Sequence, residues 1–464
     1  MIAALVNAWR IPELRTKLLF TLGMLAIYRL GFWIPIPGVD QTKLVEHFET
    51  QSVQGTGIGR AADFMAVFSG GNFGQSTVFG LGIMPYISAS IIFQLLAAAY
   101  KPLKQLQDEG PTGRQKVMEW TRLATVGLCI IQGAFWLKYI HSVGLVYPEW
   151  AATPVWWIMA TATLTAGTVF LMWLGEQIDK HGIGNGVSMI IMAGIVAAMP
   201  NAVLDVLKNF DPGDPNKMGY PGLLLLLGGF VLVVAGAVLM TVAQRRIPIQ
   251  QAKHTRGRSV FGGQKSYLPL RVNHGGVMPI IFASSLLIFP SVIFGMLYEQ
   301  ARSGGGEGVW LATTRWFDAA FQPGEYLYVI LYILMVYFFS YFWITVQFNP
   351  DDMAKQLKEH GSFIPGLRPG PRTADYLETV MERITFVGAA FLAVIAVLPM
   401  VINRNLAIPY TVTQFLGGTG LLIVVSVVLD FVQRVEANLL MRNYAGFLGG
   451  EGEGKVRRVR GPRG

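Results

Sequence analysis

The chain has 464 residues, of which 52% are hydrophobic and 14% charged, with a formal net charge of +9 at pH 7. A soluble globular chain carries about 25% charged residues, so the composition excludes an ordinary soluble protein and indicates one that crosses a membrane several times. The single cysteine, Cys129, lies in an apolar run without a neighbouring His or Cys. That excludes an intrachain disulfide and favours packing over a zinc or nucleophile role.

In chain order, residues 1–17 read as a mildly amphipathic cytoplasmic segment with no cleavable leader pattern. Apolar runs of the length a bilayer core demands, about 20 residues, then recur at ten places. These are Leu18–Ile34, Ser76–Ala99, Leu123–Ile140, Pro154–Leu174, Gly186–Val206, Gly222–Val242, Gly276–Tyr298, Tyr326–Val346, Ile384–Val401 and Thr411–Asp430. Between the first two, Ala61–Ser69 is apolar, about two helical turns long, and stops at Gly70-Gly71. A stub too short to cross, followed by the charge-free Ser76–Ala99, predicts backbone at membrane depth that packs in protein or lines a water cavity. In the second run Met84-Pro85 starts or bends the helix. Ile83 and Ile87 are four apart and share a helix face, as do Ile191 and Ile195 in the fifth. Spacing alone makes such faces contacts with lipid or another helix. Gln132 and Asn273 are amides at or near membrane depth, where helix-to-helix hydrogen bonding is the commoner meaning.

Of the 37 Lys and Arg, 26 fall in the termini and alternate loops on one side and 7 on the other. The positive-inside rule then puts both termini in the cytoplasm. Splitting ten spans five and five gives halves of opposite orientation, residues 18–206 and 222–432, an inverted layout common in membrane transport. Two cytoplasmic loops, 244–274 and 347–379, are longer than a passive connection needs. Each mixes turn residues with alternating apolar ones, which predicts protruding hairpin-like elements. The first carries Arg245, Arg246, Lys253, Arg256, Arg258, Lys265 and Arg271. Such charge suits an acidic protein or RNA partner, or anionic lipid headgroups. The basic tail, within 433–464, lacks apolar periodicity near its end.

Inside the span cores the one ionisable candidate is Arg29, near an outer end where it can snorkel. Proton-driven carriers need buried Asp, Glu, His or Lys, so their absence argues against that class but leaves a sodium-coupled transporter of a small solute as an alternative. A non-conducting insertion scaffold is a third reading. No phosphate loop, metal spacing or nucleophile elbow is legible, and Gly182-Ile183-Gly184-Asn185-Gly186 reads as a turn opening the fifth span. The expectation is a chain that is not an enzyme and takes neither metal nor cofactor.

Eight stretches carry a resemblance: GFWIPIPGVD (Gly31–Asp40), FSGG (Phe68–Gly71), GIMPYISASII (Gly82–Ile92), GIGNGVS (Gly182–Ser188), RRIPIQ (Arg245–Gln250), PIIFASSLLIFP (Pro279–Pro290), and FNPDDMA with IPGLRPG (Phe348–Ala354, Ile364–Gly370). In order and spacing they resemble the SecY family of protein-translocase channels. The resemblance implies an all-α polytopic membrane protein in the cell inner membrane. Its ten transmembrane helices would form two inverted five-helix halves around an hourglass pore. By motif, the pore ring is Ile83, Ile87, Ile191, Ile195, Ile281 and Ile423. The plug is about residues 61–74, with Phe64, Met65, Phe68, Ser69, Gly70 and Gly71. A lateral gate includes Ser88, Gln132 and Asn273. Arg245, Arg246, Arg256, Arg258 and Arg368 dock the SecA motor ATPase or the translating ribosome. Further implied partners are the small membrane subunits SecE and SecG, signal peptides and nascent chains, and anionic lipids.

Overall fold

The computed structural model describes residues 9, 11–44, 46, 76–151, 153–211, 213, 219–251, 254–256, 259–261, 265–303, 309–322, 324–406 and 419–448. The expected stub at 61–74, with all six named plug residues, lies outside them, as do Arg258 and the tail from residue 449.

Apolar composition without helix breakers makes long helices, and Pro and Gly decide where they start and stop. The first is α1 (Pro12–Leu30), opened by Pro12 and closed by a single 3-10 turn at Gly31–Trp33. The second run behaves differently from its hydropathy. Its helix, α2 (Met84–Ala99), has 16 residues, or about 24 Å, instead of starting at Ser76. Residues 76–83 are turns stitched to the segment after α1: Ile36 N donates to the Ser76 carbonyl (3.0 Å) and Val78 N to the Ile34 carbonyl (2.9 Å). Gly82 at φ +57 makes the last turn, and Pro85 in the first helical turn fixes the start. After Tyr100 the chain bends by 108° into α3 (Lys101–Asp108).

Then follow α4 (Pro111–Val143), α5 (Pro154–His181), α6 (Gly186–Asn209), α7 (Tyr220–Val242), α8 (Met278–Ser303), α9 (Val309–Ala320), α10 (Tyr326–Gln347), α11 (Pro350–Glu359), α12 (Pro371–Leu406) and α13 (Thr419–Leu448). A helix overlaps each of the ten expected segments. Among the described residues six helices (α4, α5, α6, α7, α10 and α12) are long and apolar enough to cross a membrane, and the bent pair α2–α3 would make seven.

α2 packs on α4, α4 on α5, α5 on α6, and α1 on α5 and α6; α8 packs on α10 and α10 on α12; α7 packs on α13 and touches α12. α6 meets α13, and one buried apolar cluster takes residues from α2, α5, α6, α7, α8, α10, α12 and α13.

The all-α expectation needs an amendment. The loop after α7 is an antiparallel hairpin of β1 (Gln244–Gln251) and β4 (Lys265–Arg271), with a small inner pair, β2 (His254–Arg256) and β3 (Ser259–Phe261). The other loop is no hairpin: it is α11 followed by β5 (Ser362–Phe363), which adds to β1 with Gln250 opposite Phe363. Period-two burial explains the strands, since Ile247 and Ile249 turn inward while Arg246 and Pro248 face out. Under the sheet, Ile247, Leu270, Phe348, Ile364, Leu377, Val380, Met381 and Ile384 make a separate core. This core also explains why α12 begins at Pro371 and not at Ile384: its first turns are amphipathic and pack on the sheet, which a search for uniformly apolar runs misses.

Candidate functional site

The six isoleucines come from four segments. Ile83 caps α2, and Ile87 one turn later donates its N–H to the Ile83 carbonyl at 3.1 Å. Ile191 and Ile195 lie on successive turns of α6, whose start is fixed twice. The Asn185 side chain accepts from Ser188 N at 3.1 Å, and the Asp179 carboxylate accepts from Gly186 N at 2.8 Å. A Cβ on Gly186 would collide with the Gly175 carbonyl oxygen, so glycine there lets α6 start hard against α5. Ile281 sits in the first turn of α8, after a turn in which Gly276 has φ +59. Ile423 lies near the start of α13.

All six are 5% exposed or less and belong to one buried apolar cluster. Within that cluster they are joined by other large apolar groups, including Phe79, Leu171, Phe282 and Phe339. Six branched aliphatic side chains offer no proton, metal ligand or hydrogen bond. What they can do is exclude water and ions and yield to shape.

The three polar gate candidates are placed less uniformly. Ser88 is half-buried on α2 and Gln132 half-buried on α4, and these two helices pack together. Asn273 is half-buried ahead of α8 and spends its amide within its own turn, donating to the Gly276 carbonyl at 2.9 Å. Next to it, His274 has Nδ1 buried with no hydrogen-bond partner. Burial, reinforced by nearby Arg271, holds its pKa below the ordinary 6.5, so the ring is neutral at pH 7.

Arg245, Arg246 and Arg368 are exposed. Arg256 lies on β2. Because β5 pairs with β1, and Ile364 shares a core with Ile247, both long loops belong to one platform. Charge counting treated them separately, and a strand of two residues carries no periodicity that could have joined them. The sequence reading also missed an ion pair between α4 and α5, in which Arg122 Nε donates to Glu176 Oε1 at 2.8 Å. A cleft of about 450 Å³ is lined by Lys104 of α3 together with Asp352, Glu378 and Glu382.

Comparison with known proteins points one way. The SecY family model matches residues 77–432. The protein translocase subunit SecY of Chlamydia muridarum is 40% identical over 460 residues, covering 96% of this chain and 98% of that protein. Its Escherichia coli K12 counterpart is 40% identical over 438 residues, 93% of each. Among solved structures, one described as a protein conducting channel matches with a TM-score of 0.59 at 19% identity, covering 96% of this chain and 99% of the other. Sec61 in the canine ribosome-channel complex matches at 0.55 and 17%, covering 96% and 99%. The chain is a member of the SecY family.

Proposed function

We propose that the chain is the conducting subunit of a protein translocase, passing unfolded polypeptides across the cell inner membrane. What supports the reading is that Ile83, Ile87, Ile191, Ile195, Ile281 and Ile423, from segments far apart in sequence, are each 5% exposed or less and all fall in one buried apolar cluster. In this reading ten helices span the membrane as two inverted sets of five, both termini lie in the cytoplasm, and the isoleucines form a ring at the waist. A narrow apolar constriction dewets and blocks ions. It bonds to nothing specific, so chains of any sequence slide through, whereas a charged ring would hold chains of opposite sign.

The remaining assignments follow from the same reading. Residues 61–74 cork the waist from outside. Ser88, Gln132 and Asn273 belong to the seam between the helix sets, through which an apolar segment of about 20 residues leaves for lipid, its favoured medium. Arg245, Arg246, Arg256, Arg258 and Arg368 form the docking platform for the SecA motor and the translating ribosome. Their guanidinium groups suit acidic side chains and RNA phosphates alike. SecE and SecG complete the complex, and anionic lipids neutralise the platform's edge.

The test is reconstitution. The chain in vesicles with its small subunits, the motor ATPase and ATP should move a fluorescent secretory precursor into the lumen. Vesicles that take up a small solute without any partner, and no precursor, would overturn the reading in favour of a solute transporter.

A further inference from the structure

Between α8 and α10 lies α9, a helix of 12 residues. At 1.5 Å per residue it is about 18 Å long, too short for a hydrocarbon core of about 30 Å. One side is fastened to α8. Phe317 and Phe321 stack on Phe294 with centroids 4.8 and 5.1 Å away, and Thr314 is buried. Asp318 also faces α8, with its Oδ1 3.5 Å from where a Cβ on Gly295 would sit.

The other side is turned away from the protein. At 100° per residue that arc runs through Ala319, Ala312, Trp316, Val309 and Thr313, all exposed and none charged, while Trp310, exposed as well, shares the angle of Phe317 and Phe321 but lies two turns nearer the start of the helix. Val309 is 80% exposed, and Trp310 and Trp316 are each 60% exposed. The one exposed charge, Arg315, falls at the margin of the arc. Two tryptophans and a valine facing bulk water would be an apolar surface without a purpose.

What covers it follows from its level in the bundle. Alternating helices put the end of α1, the chain before α5, and the starts of α7 and α10 at the same outer end. Each place carries an exposed aromatic: Trp33 (79%), Tyr147 (47%), Tyr220 (63%) and Tyr326 (79%). That is the pattern of an interfacial aromatic belt. α9 is pinned to α8 at Phe294 and also touches α10, so its tryptophans continue this belt sideways. Trp310 and Trp316 present the amphipathic rings that headgroup layers favour.

We propose that α9 lies in the outer headgroup layer as an interfacial anchor, its Trp316–Val309 arc and the exposed Trp310 at its start seated in lipid and its phenylalanines holding α8. The inference rests on the reading of α8 and α10 as membrane-spanning, and the experiment separates the two. Cys129 is fully buried, so a Cys129→Ala background takes single labels cleanly. Thr313→Cys within the arc, Arg315→Cys at its margin and Leu334→Cys on the exposed side of α10 each receive an environment-sensitive fluorophore. Ala312→Cys, on the same arc, replaces Thr313→Cys should that variant fold poorly. Vesicles are phosphatidylethanolamine with phosphatidylglycerol, with or without nitroxide lipids.

The expected result is a blue-shifted Thr313→Cys probe quenched by shallow nitroxide and shielded from iodide. Arg315→Cys should show more iodide quenching, and Leu334→Cys should respond to deep nitroxide. Iodide quenching of Thr313→Cys equal to that of Arg315→Cys, with no nitroxide effect, overturns the anchor while Leu334→Cys still reports a spanning α10. Shielding of Thr313→Cys from both quenchers means that protein covers the arc, and also overturns it. Failure at Leu334→Cys removes the spanning reading and the anchor with it.

Discussion

Ile195 and Leu171 form a matched pair for asking whether the waist seals or merely packs. Both are buried, at 2% and 0% exposure, in the same apolar cluster, on the adjacent helices α6 and α5. Replacing either by alanine removes three carbons. In soluble cores such a change costs about 2–5 kcal/mol, a transfer part plus a cavity part. Inside a bilayer the transfer part largely vanishes, because lipid is as apolar as the core. Each variant should therefore lose about 2 kcal/mol, and the two should lose similar amounts. Their consequences for ions should differ. Ile195→Ala opens the constriction, whereas Leu171→Ala leaves a hole behind it. Dye or chloride efflux from vesicles carrying purified complex, alongside thermal unfolding, reads both. The expectation is matched melting temperatures with rapid efflux for Ile195→Ala alone. Equal efflux from both variants would mean that loosened packing, not a ring, sets the leak, and no efflux from either would remove Ile195 from the seal.

Arg368→Glu reverses an exposed charge on the platform; motor-driven export should fall several-fold while melting stays within about 0.5 kcal/mol of the parent, and unchanged export removes Arg368 from the docking set. Glu176→Ala strips the partner from Arg122, whose side chain is 38% exposed and can rehydrate, so the loss should be only about 1 kcal/mol; a double-mutant cycle with Arg122→Ala that returns no coupling would show the pair to be idle. His274 has a folded-state pKa depressed below 6.5 by burial, so protonation favours the unfolded chain. Its contribution is present above about pH 6.5 and is lost as pH falls through that value toward the folded pKa. His274→Gln should flatten the decline in melting temperature below about pH 6.5, and an unchanged slope would mean that other groups set it.

The helices were legible because a bilayer imposes a length, and uninterrupted apolar runs such as Leu223–Val242 meet it on composition alone. Where the physics was mixed, the reading slipped. Ser76–Ala99 holds no charge, so hydropathy saw one span, yet Gly80 and Gly82 release the first eight residues into turns that bond back to Ile34 and Ile36. The start of α12 was hidden for the opposite reason. Glu378, Glu382 and Arg383 break the apolar run, but Leu377, Val380 and Met381 lie on one face and are buried against the sheet. The isoleucine positions came from family motifs, since four-residue spacing is equally the signature of a lipid-facing stripe.

The joining of the two long loops was out of reach for a different reason. The pairing of β5 with β1 closes a gap of more than a hundred residues, and two residues of strand carry no periodicity to detect. Its consequence is architectural. α12 begins inside the sheet's core at Leu377 and continues into the central cluster at Leu392, Ile395 and Ala396. One helix therefore has one end in the platform that bears Arg245, Arg246 and Arg368 and the other in the buried cluster to which Ile281 and Ile423 also belong. Charge made each loop look like an independent arm, whereas the buried apolar residues beneath the charges join both loops to the helix that runs on into the central cluster.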